Sequence, residues 1–310
     1  MKFLVRRILV AIPTVFITLT IIFFALRVLP GDPALVILGE NASEAALENL
    51  RKQMGLDLPV WQQYLHYLGD IFTGNFGESI ASGTPVMTLI ADNFVPTIAL
   101  SISSIVVGCI LGIPIGILSA LKPNSWIDFI MRVFSFIWLS SPPFLLGILL
   151  ILAFSLKLNI FPSMGSGEGF WGSLFHLILP TFTLGLILSG VMMRFARASM
   201  LEEINQDYIR TAKAKGIPNR VVVFKHALRN SLIPVITVIG IDITALISGA
   251  VITETIFSRP GLGSLAVGAI LTRDFAILQG CLILFALLVI FVNLIVDVSY
   301  SFVNPKIRPR

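Results

Sequence analysis

The chain has 310 residues, of which 56% are hydrophobic and only 13% are charged, whereas soluble domains contain about 25% charged residues. This composition excludes an ordinary soluble globular protein. The mean hydropathy of +0.92 comes from apolar runs of the roughly 20 residues that are needed to cross a membrane.

Six uncharged or nearly uncharged stretches predict an all-α polytopic membrane protein with six transmembrane helices. The first follows Lys2, Arg6 and Arg7 as in a signal peptide, but its apolar run is too long and no A-x-A cleavage site follows, which predicts an uncleaved span. The predicted spans are Ile8 to Leu26, Asn93 to Leu121, Val133 to Leu156, Gly169 to Met193, Asn230 to Thr253 with Asp242 inside it, and Phe275 to Pro305 with Asp297 inside it. Six spans place both termini on one side.

The basic residues indicate the orientation, because Lys and Arg next to membrane spans are retained in the cytoplasm. Sixteen of the 22 basic residues fall on the side of the termini, and six fall on the other side. Both termini are therefore predicted to be cytoplasmic. The net charge of +5 is then a topology signal, and no nucleic-acid partner is predicted.

Cysteine and histidine usage indicates neither a disulfide framework nor a metal site. Cys109 and Cys281 fall inside predicted spans. His66, His176 and His226 lie in three different segments, without the ligand spacing of a metal site made by this chain alone.

The segment from Pro30 to Pro96 is predicted to be external and to contain two short helices. Asn41 and Glu44 form a capping-box pattern, and Gly55 is placed to end that first helix. Pro59 can begin a second helix. Apolar residues recur in this second helix at helical spacing: Trp61, Tyr64, Leu65, Leu68 and Phe72. Two interpretations stay open, a helix lying at the membrane surface and a helix packing on the outer ends of the spans.

Small residues recur every fourth position in the second predicted span. They are Ser104, Gly108, Gly112, Gly116 and Ala120. Such a ladder predicts close approach by another helix, although it is typical of many membrane proteins.

The internal segment from Arg194 to Ser231 is longer than a hairpin connection requires and contains eight basic and three acidic residues. Leu201 to Lys215 has helical composition, and Gly216-Ile217-Pro218 ends that helix. The segment is interpreted as a docking surface, and a solvated basic loop near anionic lipid is the alternative. The sequence contains no P-loop, H-E-x-x-H or G-x-S-x-G pattern, so no enzyme activity is predicted on this chain.

The run Asp207-Tyr208-Ile209-Arg210-Thr211-Ala212-Lys213-Ala214-Lys215-Gly216, followed by His226-Ala227-Leu228-Arg229-Asn230, resembles the cytoplasmic EAA loop of bacterial ABC importer permeases. Further motifs are similar to the B-type subunit of the dipeptide, oligopeptide and nickel permeases: Leu29-Pro30-Gly31-Asp32-Pro33, Phe76-Gly77-x-Ser79, Pro260-Gly261-Leu262-Gly263, Arg273-Asp274 and the tail from Asn304 to Arg308. The sequence has Arg210-Thr211 where the general EAA pattern has Glu-Ala.

The resemblance implies a type I ABC importer permease in a bacterial inner membrane, working by alternating access. The implied partners are a homologous C-type permease, two cytoplasmic ATPase subunits that carry ATP and Mg, and an extracytoplasmic solute-binding protein. No cofactor is expected on this chain. The implied ATPase-coupling residues are Tyr208, Arg210, Thr211, Ala212, Ala214 and Gly216. The implied organisation is residues 1–29 as the N-terminal end with the first span, 30–96 as the external segment, and 97–310 as the transmembrane core including the coupling loop 194–231.

Small peptides are the expected substrate, and nickel or metal chelates and glutathione are alternatives within the family. Asp242 is predicted near mid-membrane, where an ionisable group is costly. It either lines the pathway and meets a substrate amine, or makes a structural hydrogen bond to a nearby Ser or Thr. A proton-coupled secondary transporter using Asp242 or Asp297 is the rival hypothesis.

Overall fold

The structure is a computed structural model that describes residues 2–28, 33–39, 42–53 and 55–303. Within these ranges the chain forms α1 Lys2–Val28, α2 Pro33–Leu38, α3 Glu44–Gln53, α4 Val60–Thr73, α5 Val86–Leu121, α6 Trp126–Ser140, α7 Pro143–Leu150, α8 Gly169–Ile204, α9 Asp207–Ala214, α10 Asn219–Val221, α11 Leu228–Ile256, α12 Leu262–Thr272 and α13 Phe275–Val303. Two π-helical segments, Ile151–Lys157 and Val222–Ala227, continue α7 and precede α11. The predicted turn at residues 30–32, the predicted cap Asn41 and the tail from Asn304 lie outside the described residues.

Five helical segments are long and apolar enough to cross a membrane among the residues described, and a bent helix pair makes a sixth candidate. The five are Leu9–Arg27, Val86–Leu121, Gly169–Ile204, Asn219–Ile256 and Phe275–Val296. These segments confirm the predicted all-α polytopic membrane fold.

The third span differs from its prediction as one straight helix from Val133 to Leu156. The chain instead forms α6 and α7 with its π-helical continuation, which meet at an angle of 107°. The break lies at Ser141-Pro142-Pro143, where Ser141 is extended with ψ 124°. Two prolines in succession have no N–H to continue the helical hydrogen bonds, and Pro142 disfavours helical backbone at Ser141.

The described chain divides into two compact units. The first comprises the residues up to Pro96 and Pro260–Ile290, and the second comprises Thr97–Arg259 and the residues from Phe291 onward. The predicted division into residues 1–29, 30–96 and 97–310 stays a prediction.

In the first unit, α4 packs along the first span. Leu19, Phe23, Tyr67 and Ile283 form a buried cluster, and the Tyr67 hydroxyl donates to the carbonyl of Leu19 at 3.1 Å. Of the apolar residues at helical spacing, Tyr64 and Leu68 pack against this cluster, whereas Trp61, Leu65 and Phe72 stay exposed. Both interpretations of this helix therefore stay predictions.

The boundaries of the short helices in this segment differ slightly from their predictions. α3 begins at Glu44, and the Ser43 hydroxyl accepts from the N–H of Ala46 at 3.3 Å. Gly55 has φ +67°, which confirms the predicted left-handed end of α3. Pro59 immediately precedes α4 instead of occupying its first position.

Two motifs that carried the family resemblance meet within the first unit. The hydroxyl of Ser79 donates to a carboxylate oxygen of Asp274 at 2.7 Å. Asp274 is fully buried and also accepts from the N–H of Ile277 at 3.2 Å, capping α13. The pair therefore joins the loop before α5 to the start of α13.

In the second unit, glycines bring α5 and α8 into close contact. A Cβ on Gly112 would lie 2.5 Å from the carbonyl oxygen of Ser189, and one on Gly116 would lie 2.5 Å from that of Met193. The small-residue ladder is thus confirmed as a helix-packing surface. α11 completes this core through Val235, Leu246 and Ala250, which cluster with residues of α5 and α8.

Candidate coupling surface and pathway residue

The predicted single helix from Leu201 to Lys215 is two helices. α8 ends at Ile204, and Asn205 and Gln206 separate it from α9. The Asn205 side chain donates to the carbonyl of Leu201 at 2.8 Å, and Gln206 is extended with ψ 150°. Asn competes for backbone hydrogen bonds in this way at helix ends, so α9 is an independent short element.

One side of α9 is anchored in the second unit. Ile209 and Ala212 are buried with Met200 of α8 and Val222 and Ala227 of the following π-helical segment. Ala212, a predicted coupling residue, therefore packs inside its own chain. Tyr208 and Lys215, by contrast, are exposed.

Gly216 ends α9 in the left-handed conformation with φ +75°. Its N–H donates to the carbonyl of Lys213 at 3.0 Å, and the N–H of Ile217 donates to that of Ala212 at 3.3 Å. This pair of bonds is a Schellman motif. The predicted helix stop is thereby confirmed, and a Cβ at Gly216 would meet no atom within 4 Å.

Tyr208 ties three helices together at this site. Its hydroxyl donates to the carboxylate of Glu203 on α8 and accepts from the amide of Asn230 on α11 at 3.0 Å. Burial raises the pKa of Tyr208, so the hydroxyl is protonated at neutral pH and can make the donor bond. Its polar group is therefore occupied within the chain, while the ring stays partly exposed.

The remaining predicted coupling residues lie on the free side of α9. Arg210, Thr211, Ala214 and Gly216 are exposed, and the 3.6 Å ion pair of Arg210 with Asp207 joins two exposed side chains. The adjoining π-helical segment adds Phe224, which is 60% exposed and which sequence analysis did not single out. We call Arg210, Thr211, Ala214, Gly216 and Phe224 the coupling surface.

A buried ion pair holds α8 in place before this surface begins. Arg197 donates to both carboxylate oxygens of Asp128, from Nε at 2.8 Å and from Nη2 at 2.9 Å. Asp128 is fully buried and also accepts from the hydroxyl of Ser119 and from the N–H of Asn124. Sequence analysis did not single out Arg197, whose guanidinium is used inside the fold.

Asp242 lies at the centre of α11, fourteen residues from each end, which corresponds to about 21 Å of helix in both directions. It is partly buried, and its Oδ2 atom is enclosed without a hydrogen-bond partner in the described part of the chain. The structural alternative, a Ser or Thr hydroxyl bound to this oxygen, is not seen there. The side chain of Asp297 lies outside what the structure describes.

Two further buried charges, one in the last turn of α11 and one just after it, were not singled out from the sequence. Glu254 is fully buried and accepts from the hydroxyl of Thr97 at 2.6 Å. Arg259 is 5% exposed, its N–H donates to the carbonyl of Glu254 at 2.8 Å, and burial lowers the pKa of its guanidinium. Their only sequence signal is charge directly after a predicted span.

The long apolar helices, the anchored short helix with an exposed outer face and the ionisable group in mid-helix define a multi-pass membrane transport protein. Family models agree with this class. Residues 112–309 match the binding-protein-dependent transport system inner membrane component, and residues 1–101 match the N-terminal part of the same component. The chain belongs to this family of ABC importer permeases.

Curated relatives extend over the full length. The glutathione transport system permease protein GsiC of Escherichia coli (strain K12) is 41% identical over 308 residues, 99% of both chains. GsiC of Shigella flexneri serotype 5b (strain 8401) has the same identity and coverage.

Solved structures support the fold. A chain of the MetNI methionine ABC transporter in an inward-facing conformation has a TM-score of 0.59 at 19% identity, covering 70% of this chain and 97% of that one. A chain of an amino acid ABC transporter has a TM-score of 0.56 at 11% identity, covering 70% and 94%.

Proposed function

We propose that the chain is the permease subunit of an ATP-driven importer of small peptides and forms half of the translocation pathway. The observation that carries this is the 41% identity to a glutathione permease across 99% of both chains. Glutathione is itself a tripeptide, so it is the first peptide to test. Nickel and other metal chelates are the alternative within the family.

The rest of the importer belongs to other chains in this proposal. A homologous C-type permease supplies the second half of the pathway, two cytoplasmic ATPases bind ATP and Mg, and an extracytoplasmic binding protein delivers the peptide. The chain lies in the bacterial inner membrane with both termini in the cytoplasm. The 16 to 6 division of basic residues supports this orientation.

The coupling surface is proposed to bind an ATPase subunit. α9 suits this role because Ile209 and Ala212 fix it to α8 and to the segment before α11, while its other side is free. ATP-driven closure of the ATPase pair moves α9, and its anchored side passes the movement to the spans. Phe224 supplies an apolar contact in a basic surrounding, which is a common composition for an interface anchor.

Asp242 is proposed to meet the ammonium group of the peptide during translocation. Its enclosed oxygen has no hydrogen-bond partner among the described residues, and a charged group at mid-membrane usually faces a cavity or a partner. The same carboxylate is the proton carrier in the rival hypothesis of a proton-coupled transporter.

Uptake by the reconstituted complex separates these functions. The permease pair, the ATPases and the binding protein are placed in liposomes, and uptake of glutathione and of a dipeptide is measured with ATP or with a pH gradient alone. We expect uptake that requires ATP and is unchanged by collapse of the gradient. Uptake driven by the gradient without ATP would establish the rival function, and uptake of nickel chelates alone would change the substrate class.

A variant of the coupling surface tests its partner directly. Phe224→Ala should weaken binding of the ATPase subunits to the purified permease pair by about tenfold or more, since anchor residues contribute about 2 kcal/mol. Phe170→Ala is the matched control, because Phe170 is similarly exposed at the start of α8. Equal ATPase binding by both variants would contradict the assignment.

A further inference from the structure

We propose that helix α4, Val60–Thr73, is inserted into the lipid bilayer beside the first span, instead of lying flat on the membrane surface or in water. The inference concerns the segment between the first two spans and does not depend on the transported substrate or on the ATPase partner.

The contacts between α4 and α1 set the depth of insertion. They follow one another along both helices: Arg27 with Gln63, Phe23 with Tyr64, Leu19 with Tyr67, and Phe16 with Phe72. The stretch from Arg27 to Phe16 is eleven residues of α1, or about 16 Å. That is half of a hydrocarbon core of about 30 Å, and Leu9–Arg27 is one of the candidate spans.

A second side of α4, next to its contacts with α1, is apolar and largely uncovered. Trp61, Leu65 and Phe72 are 62%, 58% and 70% exposed. On α1, Ile17 and Ile21 are exposed to the same degree. In a membrane span these α1 side chains face hydrocarbon, and the apolar side of α4 lies at the same depth because Ile17 and Ile21 fall between Phe16 and Arg27.

The opposite side of α4 is polar and borders a pocket. Gln63, His66 and Asp70 line a pocket of about 470 Å³ together with Arg27 and Lys52. Polar and charged side chains in an inserted helix need water or one another, and this pocket provides that surrounding. The helix can therefore be inserted with its apolar side against hydrocarbon and its polar side against this pocket.

Lipid acyl chains are the occupant that these observations favour. A helix that lies flat on a membrane keeps all of its apolar side chains at one depth, whereas the successive contacts with α1 carry α4 inward along the span. Exposed apolar side chains at one depth on both α1 and α4 favour hydrocarbon over a protein partner, whose binding would have to cover both helices.

Spin labels measure the depth directly. Single cysteines replace Trp61, Leu65 and Phe72 in a chain with C109A and C281A, and the labelled complex is reconstituted in liposomes. Collision rates with oxygen and with a water-soluble nickel chelate are compared with those at Ile21 and at Glu48, an exposed residue of α3. We expect Leu65 to match Ile21, and depth to increase from position 61 to position 72 by up to about 16 Å.

Three results would overturn the proposal. Equal depths at the three positions would mean a surface helix, and chelate accessibility equal to that at Glu48 would mean a helix in water. Labels that are immobile and protected from both reagents would mean that another protein covers this side of α4.

A pair of lysine variants provides a second test. Leu65→Lys places a charge on the lipid-facing side, whereas His66→Lys places it on the pocket side of the next residue. We expect several-fold less assembled complex in membranes for Leu65→Lys and a nearly unchanged amount for His66→Lys. Equal amounts for the two variants would contradict insertion. The spin-label depths come from separate variants without an added charge, so they can be measured even if Leu65→Lys fails to assemble.

Discussion

Asp128 and Arg197 show how one buried charge can be stabilised at the membrane edge of a helix bundle. The carboxylate of Asp128 is fully buried, which is costly unless its oxygens are hydrogen-bonded. Here they accept from two nitrogens of Arg197, from Ser119 and from the N–H of Asn124. The pair fixes α6 to α8 just before α8 reaches the coupling surface.

We expect Arg197→Gln to destabilise the permease by about 3 kcal/mol, because it removes the hydrogen-bonded charged partner of a buried carboxylate and leaves only the longer 3.5 Å pair with Arg132. Thermal unfolding of the purified permease pair measures this. Arg210→Gln is the matched control, since Arg210 pairs with Asp207 at an exposed surface where such pairs contribute under about 1 kcal/mol. Equal destabilisation by the two variants would show that the Asp128 ion pair contributes no more to stability than an exposed pair.

Asp242→Asn should slow peptide uptake by about tenfold or more while the complex assembles normally. A charged hydrogen bond to a substrate ammonium is worth about 1.5–3 kcal/mol. The substitution breaks no hydrogen bond of the enclosed oxygen among the described residues, so assembly should be unaffected. Uptake at saturating ATP is compared with Asp57→Asn, which removes an exposed acid. Wild-type uptake by Asp242→Asn would leave the carboxylate without a role in transport.

The sequence does not show which of the two arginines forms a buried ion pair. Arg197 and Arg210 lie in the same basic segment, residues 194–231. The partner of Arg197 is 69 residues away, so only the packing of α6 on α8 distinguishes a buried ion pair from a surface charge.

At the scale of elements, composition located the spans but not their breaks. The apolar run from Val133 to Leu156 contains no charged residue, yet the helix bends by 107° at its two consecutive prolines. The same holds for α9, whose separation from α8 depends on local hydrogen bonding by Asn205. Hydropathy reports how much of a segment avoids water and carries no information on where its backbone hydrogen bonds are interrupted.

The end of α9 gives a prediction at this scale. Gly216→Ala should cost about 1 kcal/mol, because a residue with Cβ is disfavoured at φ +75°, while no neighbouring atom would clash with it. We expect ATPase binding to persist and ATP hydrolysis to become less tightly coupled to uptake, since the Schellman end of α9 is loosened.

Gly268→Ala is the control for that substitution, because Gly268 also has open space around an added Cβ but lies in regular helix. The number of ATP molecules hydrolysed per peptide transported is measured for both variants. A ratio that stays at the wild-type value for Gly216→Ala would show that the geometry of this helix end is unimportant for coupling.

At the scale of the whole molecule, the class and the family resemblance followed from the sequence, and the contacts that organise the chain did not. The motifs around Ser79 and Asp274 were visible separately as loop chemistry. Their hydrogen bond closes a separation of 195 residues. A motif shows which local backbone conformation its residues favour. Which two motifs come into contact depends on how all of the helices between them pack.

The orientation of the chain in the membrane is predicted from basic residues along its whole length. Both termini and the loop 194–231 should face the cytoplasm, because sixteen of 22 basic residues fall on that side. Single cysteines at Glu48 and Lys213, both exposed, are introduced into the chain with C109A and C281A. An impermeant maleimide added to intact spheroplasts should label position 48, and position 213 should react only after the membrane is opened. The permease pair is produced without the ATPase subunits, since they would shield position 213. Labelling of both positions from outside would contradict the six-span arrangement, and labelling of position 213 alone would invert it.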